Sequence, residues 1–256
     1  MLELRNIHKS LGGKAVLEDV SLRVEHGETL VVVGSSGAGK SVALQHMIGL
    51  MHPDRGEVLV DGQPMHKATG SRLARLREYF GMLFQGGAMI NWMNIFDNIA
   101  LPLRERNRWS EEEIAERVHQ ALALVSLEEV EHKMPVQLSG GMLKRAGLAR
   151  AIIMRPPIIL YDEPTSGLDP ILSRNIDKLI LHLQKKLEVT SVVVTHDLIS
   201  AFSVGDKVAL LHQGRIAIVG TPEEFRHADD DFVQEFINAQ KCPEFEAATG
   251  KGDRVR

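Results

Sequence analysis

Residues 34–41 constrain the fold of this chain more than any other segment. They read Gly-Ser-Ser-Gly-Ala-Gly-Lys-Ser, the pattern G-x-x-x-x-G-K-S, between an apolar run at 29–33 and an amphipathic stretch at 41–51. The apolar run predicts a strand buried on both faces of a parallel sheet, and the stretch after the loop predicts a helix. A glycine-rich turn at that junction presents backbone N–H groups to an anion. The sequence therefore predicts a parallel α/β core with a phosphate-binding loop.

Two side chains at the end of this loop add specific chemistry to the backbone cradle. Lys40 is placed to reach the β- and γ-phosphates of a nucleotide, and the Ser41 hydroxyl to coordinate Mg²⁺. A glycine-rich turn without function could match the pattern by chance, but the strand-to-helix context argues against it. We therefore expect ATP to contact the loop and the residue after it, namely Gly34, Ser35, Ser36, Gly37, Ala38, Gly39, Lys40, Ser41 and Val42.

Two acidic residues follow a second apolar run, at 158–161. Asp162 and Glu163 thus stand at the C-terminal end of a predicted strand, where ligands of open α/β sheets bind. We expect Asp162 to hold Mg²⁺ and Glu163 to polarise the attacking water as a general base. Adjacent acids after a strand are by themselves more typical of a solvated turn. Their combination with the phosphate loop favours the catalytic interpretation.

Residues 138–142, Leu-Ser-Gly-Gly-Met, begin another predicted helix with small residues. Its N-terminus offers the Ser139 side chain and backbone N–H groups to an anion. The segment resembles the signature of ABC ATPases, normally Leu-Ser-Gly-Gly-Gln, with Met142 in place of the glutamine. This resemblance implies that Ser139, Gly140 and Gly141 complete the nucleotide site of a second copy in a head-to-tail dimer.

Three smaller elements fall in the order of the same family. The resemblance implies that Gln85 senses Mg²⁺ and the attacking water and links the site to a permease. Residues 166–169, Ser-Gly-Leu-Asp, are similar to the loop that crosses the dimer interface, which brings Asp169 to the nucleotide. His196 matches the histidine that contacts the γ-phosphate, although a lone histidine after a strand is more often a surface residue. The expected catalytic residues are Glu163, His196 and Gln85, and the expected metal ligands are Ser41, Gln85 and Asp162.

The order of predicted elements gives the fold class. Alternating residues near the N-terminus predict strands and turns, whereas residues 90–155 show helical periodicity, with Ser110 and Glu113 forming a capping box. Together with the resemblance, this predicts an α/β fold, a P-loop NTPase core of the ABC ATPase type with an antiparallel β-subdomain and an inserted helical subdomain at about 90–155. We expect one domain over 1–240, followed by a tail, 241–256, that is loose or ordered by a partner.

Composition narrows the compartment and the partners. The 256 residues carry a formal net charge of −4 and the pI is near 6.3, which gives no general attraction to nucleic acid. Cys242 is the single cysteine, so no internal disulfide can form and a reducing compartment is expected. No signal peptide is apparent, and no run approaches the ~20 apolar residues of a membrane span. A role at a membrane therefore requires a partner.

A narrower resemblance covers residues 82–89 and 93–105. They are similar to the ATPases of MCE-associated lipid transporters, the Mla type, whose members also carry Leu-Ser-Gly-Gly-Met. The resemblance implies an ATP-hydrolysing motor at the cytoplasmic face of the bacterial inner membrane, which moves phospholipid or another hydrophobic solute between inner membrane and outer envelope. It implies a second copy, permease subunits, an MCE-domain protein and, in some systems, a STAS-domain subunit. Apolar residues crowd 89–96, and we expect at least two of them to dock the permease.

Two alternatives stay open at this point. The chain could serve an ABC transporter of another substrate class, such as an amino-acid importer or a lipoprotein extractor. It could also be a non-transport ABC ATPase, although it has no long coiled-coil insertion, no second cassette and no basic arm. The position where many ABC ATPases stack adenine on an aromatic residue falls near Leu11. We therefore expect weaker apolar contact and looser selectivity for ATP over GTP.

Overall fold

A computed structural model describes residues 1–65 and 67–240 of the chain. The expected tail at 241–256 lies outside the described residues. The strands are β1 (Leu2–Leu11), β2 (Lys14–Val24), β3 (Thr29–Val33), β4 (Arg55–Val60), β5 (Gln63–Pro64), β6 (Phe80–Leu83), β7 (Ile158–Asp162), β8 (Thr190–Thr195), β9 (Lys207–His212) and β10 (Arg215–Gly220). The α-helices are α1 (Lys40–Met47), α2 (Gly70–Arg77), α3 (Ile95–Arg106), α4 (Glu111–Leu124), α5 (Gly140–Ile152), α6 (Pro170–Leu187), α7 (Leu198–Val204), α8 (Pro222–Arg226) and α9 (Asp231–Gln240).

The larger sheet places the candidate site. Its strand order is β10-β9-β3-β8-β7-β6, and every pairing is parallel except the β9–β10 hairpin. All five residues of β3 are buried, as expected for a central strand covered on both faces. Val33 pairs with Thr195, and Asp162 pairs with Val194. The C-terminal ends of β3, β7 and β8 therefore meet at one edge of the sheet.

The smaller sheet confirms the prediction of antiparallel strands near the N-terminus. Its order is β2-β1-β4-β5, and all three pairings are antiparallel. Leu4, Val20 and Val58 from this sheet share one buried core with Val32 of β3 and Leu44 of α1. The small sheet and α1 thus cover one face of the large sheet and fix the helix that follows the phosphate loop.

Helices α3, α4 and α5 occupy the region predicted to be helical. The predicted capping box is present, because Glu113 Oε2 accepts from the Ser110 backbone N–H at 2.8 Å and Ser110 Oγ accepts from the Glu113 N–H at 3.3 Å. Ile114 and Val118 face inward and belong to the second core, on the other face of the large sheet. The subdomain limits at about 90 and 155 stay a prediction.

Several elements differ from the sequence prediction. The helix predicted over 41–51 ends at Met47, because Gly49 adopts φ +66° and cannot continue it. Helices α2 and α7 were not predicted. Of the eight residues of α2 only Leu76 is buried, and α7 has only seven residues, so neither gives a clear apolar period.

Candidate nucleotide-binding site

The phosphate loop joins β3 to α1 at the edge where the parallel strands end. Gly37 and Gly39 adopt φ +81° and +104°, which residues other than glycine rarely adopt. Gly34 has no space for a side chain, because a Cβ there would lie 2.3 Å from the Leu211 carbonyl oxygen. Gly39 caps α1 without a side-chain hydrogen bond, which leaves the first N–H groups of the helix free to face an anion.

Lys40 lies folded back into its own loop. Its Nζ donates to the carbonyl oxygens of Gly34 at 2.8 Å and Ser35 at 3.0 Å, and stands 3.8 Å from Glu163 Oε1. Burial lowers the pKa of Lys40, while the carboxylates of Glu163 and Asp162 act in the opposite direction. The ammonium is thus held at the mouth of the loop by weak acceptors that a phosphate oxygen can replace.

Asp162 and Ser41 face each other across the site. The Ser41 hydroxyl donates to Asp162 Oδ1 at 3.1 Å. Burial raises the pKa of Asp162, and the Ser41 hydrogen bond and nearby cations oppose this rise. A hydroxyl, a carboxylate and the amide of Gln85 are hard oxygen donors of the type that Mg²⁺ takes, together with water and phosphate oxygens. The donor set therefore fits Mg²⁺.

Among residues 1–65 and 67–240, no three His, Cys, Asp or Glu side chains lie close enough together to hold a metal ion. Over the same residues, no helix combines the length and apolar character needed to cross a membrane.

Glu163 is the most constrained residue of the site. Its backbone has φ +48°, in the left-handed region, and its N–H donates to the Val194 carbonyl oxygen at 2.9 Å. Its Oε2 lies 2.8 Å from His196 Nδ1 and 3.5 Å from the Thr195 hydroxyl. The carboxylate is almost entirely buried. It is therefore aimed at the phosphate loop by contacts from the end of β8.

A cavity of about 470 Å³ lies between these groups. It brings together most of the residues expected to bind and hydrolyse ATP. Leu11 is exposed at the end of β1 and does not line this cavity, whereas Val16 of β2 does. The lining residues are Val16, Ser36, Gly37, Gly39, Lys40, Ser41, Val42, Gln85, Glu163, Ser166 and His196.

The signature residues lie apart from this cavity. Ser139 caps α5, and its Oγ accepts from the Met142 N–H at 3.3 Å. Gly140 and Gly141 form the first turn of that helix, and neither lines the cavity. Asp169 caps α6 by accepting from two N–H groups of its first turn, at 2.9 Å each, and is also outside the lining. These four expected residues therefore lie away from the phosphate loop within one chain. Gly34, Ser35 and Ala38 also do not line the cavity but belong to the loop itself, and Asp162 is outside the lining but contacts the loop through Ser41.

Two further residues meet the site and were not predicted from the sequence. Val16 enters it from the first hairpin. Lys144 of α5 donates from Nζ to the Glu163 carbonyl oxygen at 3.1 Å. The sequence carries a weak signal for Lys144, since it follows Gly140 by four residues and so shares its helix face with the small residues of the signature.

Four features together define an ATP-hydrolysing cassette. A phosphate loop follows the central strand, and two carboxylates stand at the end of a neighbouring strand. A histidine contacts the second carboxylate, and a separate helix begins with a capped Ser-Gly-Gly segment. Residues 17–166 match the family model of the ABC transporter. The chain belongs to the ABC transporter family, as the resemblance in its motifs predicted, and is an ATPase of that type.

Known proteins of this family are similar along nearly the whole chain. The probable ribonucleotide transport ATP-binding protein mkl of Mycobacterium tuberculosis is 40% identical over 240 residues, 94% of this chain and 67% of that protein. The intermembrane phospholipid transport system ATP-binding protein MlaF of Escherichia coli is 37% identical over 238 residues, 93% of this chain and 88% of that protein.

Two solved structures confirm the predicted fold class. The dimeric ATP-binding cassette MJ0796, in a post-hydrolysis state with ADP and Pi, has a TM-score of 0.80 and 33% identity, covering 87% of this chain and 99% of that one. The cassette cbiO1 from Clostridium perfringens, part of the transporter complex cbiONQ, has a TM-score of 0.82 and 27% identity, covering 98% of each chain.

Proposed function

We propose that this chain is the motor subunit of an inner-membrane transporter that moves phospholipid or another hydrophobic solute between the inner membrane and the outer envelope. The observation that carries this proposal is the 37% identity to the phospholipid transport protein MlaF over 93% of the chain. The single ATPase domain responsible is assigned to residues 1–240, with the helical subdomain at about 90–155. The motor lies at the cytoplasmic face of the membrane.

The site residues take the following roles in this proposal. The phosphate loop and Lys40 bind the β- and γ-phosphates, and Glu163 takes a proton from water as its oxygen attacks the γ-phosphorus. The bond from the γ-phosphorus to the β–γ bridging oxygen breaks, which releases ADP and inorganic phosphate. His196 holds the Glu163 carboxylate and contacts the γ-phosphate. Ser41, Asp162 and Gln85 would hold Mg²⁺, which would neutralise charge on the phosphates.

Two copies are required in this proposal, arranged head to tail. Ser139, Gly140 and Gly141 of one copy close the nucleotide site on the phosphate loop of the other, and Asp169 reaches the same site across the interface. The separation of these residues from the cavity within one chain supports this arrangement. The dimeric state of the similar cassette with ADP and Pi supports it as well.

The permease is proposed to bind beside Gln85. Trp92 is 83% exposed and Phe84 is 38% exposed, which leaves apolar surface near the site. Ile95 is buried in the core and is not available for docking. Trp92 is the strongest candidate anchor. Aromatic residues that become buried when two proteins associate carry much of the binding energy. An MCE-domain protein and a STAS-domain subunit complete the proposed partners, and no nucleic acid takes part.

A second candidate function is transport of another substrate class. The relative mkl, at 40% identity, is named a probable ribonucleotide transport protein. A nucleotide or other polar solute is therefore the competing cargo for the same motor. Hydrolysis by the chain is common to both candidates, so only the cargo and the partners distinguish them.

The test is purification of the chain from native membranes with its bound subunits. The proposal expects permease and MCE-domain subunits and co-purified phospholipid, identified by mass spectrometry. Trp92→Ala should retain the ATPase activity of the isolated chain but lose the permease, whereas Trp109→Ala, which changes a tryptophan in contact with Arg117, should retain both. Recovery of a complex without an MCE-domain protein or lipid would favour the second candidate.

A further inference from the structure

Lys144 is a buried cation on the helix that begins at the signature. It lies on α5, and only 4% of its surface is exposed. A buried ammonium is strongly destabilising unless hydrogen bonds and opposite charges compensate for its lost hydration. The groups that Lys144 meets inside the protein therefore indicate its role.

Those groups lie at the C-terminal end of β7, beside Glu163. The Lys144 Nζ donates to the Glu163 carbonyl oxygen at 3.1 Å, and the Ser166 N–H donates to the same oxygen at 3.2 Å. Burial lowers the pKa of Lys144, while the carboxylates of Glu163 and Asp162 act to raise it. The peptide after Glu163 is thus held from two directions, by α5 and by the loop that follows β7.

Glu163 needs such restraint because of its backbone conformation. A φ of +48° costs a residue with a side chain about 1 kcal/mol or more, so surrounding contacts must hold it. The Val194 carbonyl holds the N–H of this residue, and His196 holds its carboxylate. The contact from Lys144 holds the remaining end, the carbonyl group. Together these contacts set the direction in which the carboxylate points.

We propose that Lys144 is a positioning residue for hydrolysis, which grips the Glu163 carbonyl so that the carboxylate faces the attacking water. The inference rests on the proposed role of Glu163 as general base. It also ties Glu163 to the helix whose first turn, at Ser139, meets the nucleotide of the second copy. Closure of the dimer and alignment of Glu163 therefore share one rigid element.

The test compares Lys144→Met, which removes the charge and keeps the length, with Lys144→Arg, which keeps the donor. A misplacement of about 1 Å in a catalytic group can lower the rate about 100-fold. Because Lys144→Met should let the Glu163 carboxylate shift, its kcat should fall about 10- to 100-fold. KM for ATP should stay within about twofold, because the phosphate loop is untouched. Lys144→Arg should recover most of the lost kcat.

Arg145→Met is the matched control. Arg145 is the next residue on α5, but its Nη1 donates to the Val125 carbonyl oxygen at 2.7 Å, away from the site. This variant should keep the kcat of the unchanged chain. If Lys144→Met keeps that kcat, or if it loses ATP affinity and kcat together without rescue by arginine, the positioning role is overturned.

A double variant separates this inference from the function on which it rests. If Lys144 acts through Glu163, single-turnover hydrolysis by Lys144→Met/Glu163→Gln should be no slower than by Glu163→Gln alone. Multiplicative losses would show independent roles and overturn the inference alone. Wild-type turnover in Glu163→Gln would overturn the base assignment and the role of Lys144 with it.

Discussion

The nucleotide site has a phosphate-loop side and a signature side. The two sides differ in how completely a single chain assembles them. On the phosphate-loop side, Glu163 lies 3.8 Å from Lys40 Nζ through one carboxylate oxygen and 2.8 Å from His196 Nδ1 through the other. Lys40 and Glu163 are buried. On the signature side, Ser139 makes one local hydrogen bond and lines no part of the cavity. The first side is set by the folding of one core, whereas the proposed role of the second requires association with another copy of the chain. Substitutions should therefore separate hydrolysis and nucleotide affinity from assembly.

The largest expected effect is on turnover at the phosphate-loop side. Glu163→Gln removes the proposed proton acceptor and keeps the shape of the side chain, so kcat should fall about 10²–10⁴-fold while ATP affinity is retained. Phosphate release and equilibrium nucleotide binding measure the two quantities. Glu188→Gln is the control, since Glu188 also has a positive φ, +53°, but is exposed at the end of α6. Near-normal hydrolysis by Glu163→Gln would exclude Glu163 as the base.

The next effect is on nucleotide affinity. Lys40→Ala removes the proposed charge-assisted donor to phosphate, worth about 1.5–3 kcal/mol, so ATP should bind about 10- to 100-fold more weakly. Titration with a fluorescent ATP analogue measures the affinity. Lys178→Ala removes an exposed lysine of α6 and should bind ATP normally. Equal affinity of the two variants would contradict the role of the phosphate loop.

A smaller effect is expected on the signature side, and only in the assembled protein. Ser139→Ala should lower kcat about tenfold, because it removes one hydrogen bond to the phosphate of the nucleotide that the second copy binds. The affinity of the single chain for ATP should not change. Ser110→Ala provides the control, because it removes the same kind of helix cap from α4. Both should lose about 1 kcal/mol of unfolding free energy, and only Ser139→Ala should lose turnover. Equal turnover in the two would remove the distinction between the two sides.

The smallest expected effect is on binding of the adenine ring rather than of the phosphates. Leu11 does not line the cavity, but the resemblance assigns adenine stacking to its position, so Leu11→Tyr should add an aromatic contact worth about 0.5–1.5 kcal/mol. Affinity for ATP should rise about two- to tenfold, with kcat unchanged. Competition between ATP and GTP measures the change in selectivity. If the affinity for both nucleotides stays the same, Leu11 does not meet the base.

The phosphate-loop side could be predicted from the sequence because its residues follow buried strands. Val33 and Asp162 end apolar runs, and parallel strands bring such ends to a common edge. The same local reasoning predicted the capping box of Ser110 and Glu113.

The contacts of Lys144 and Val16 could not be predicted in this way. Lys144 meets Glu163 because α5 packs against the end of the sheet, and no periodicity within α5 specifies that approach. Helix α2 was missed for a related reason, since most of its residues are polar and its single buried residue is Leu76. Tertiary packing decides these features, and the sequence pattern records it weakly.

In the proposed arrangement one chain builds half of each nucleotide site, and sedimentation velocity tests this most directly. Glu163→Gln, which should bind ATP without hydrolysing it, is measured with and without saturating ATP. The chain should sediment as a monomer without nucleotide and as a dimer with ATP. Ser139→Arg in the same background should bind ATP and remain a monomer, because the arginine blocks the signature side. A Glu163→Gln chain that stays monomeric at saturating ATP, or a double variant that still dimerises, would contradict the account.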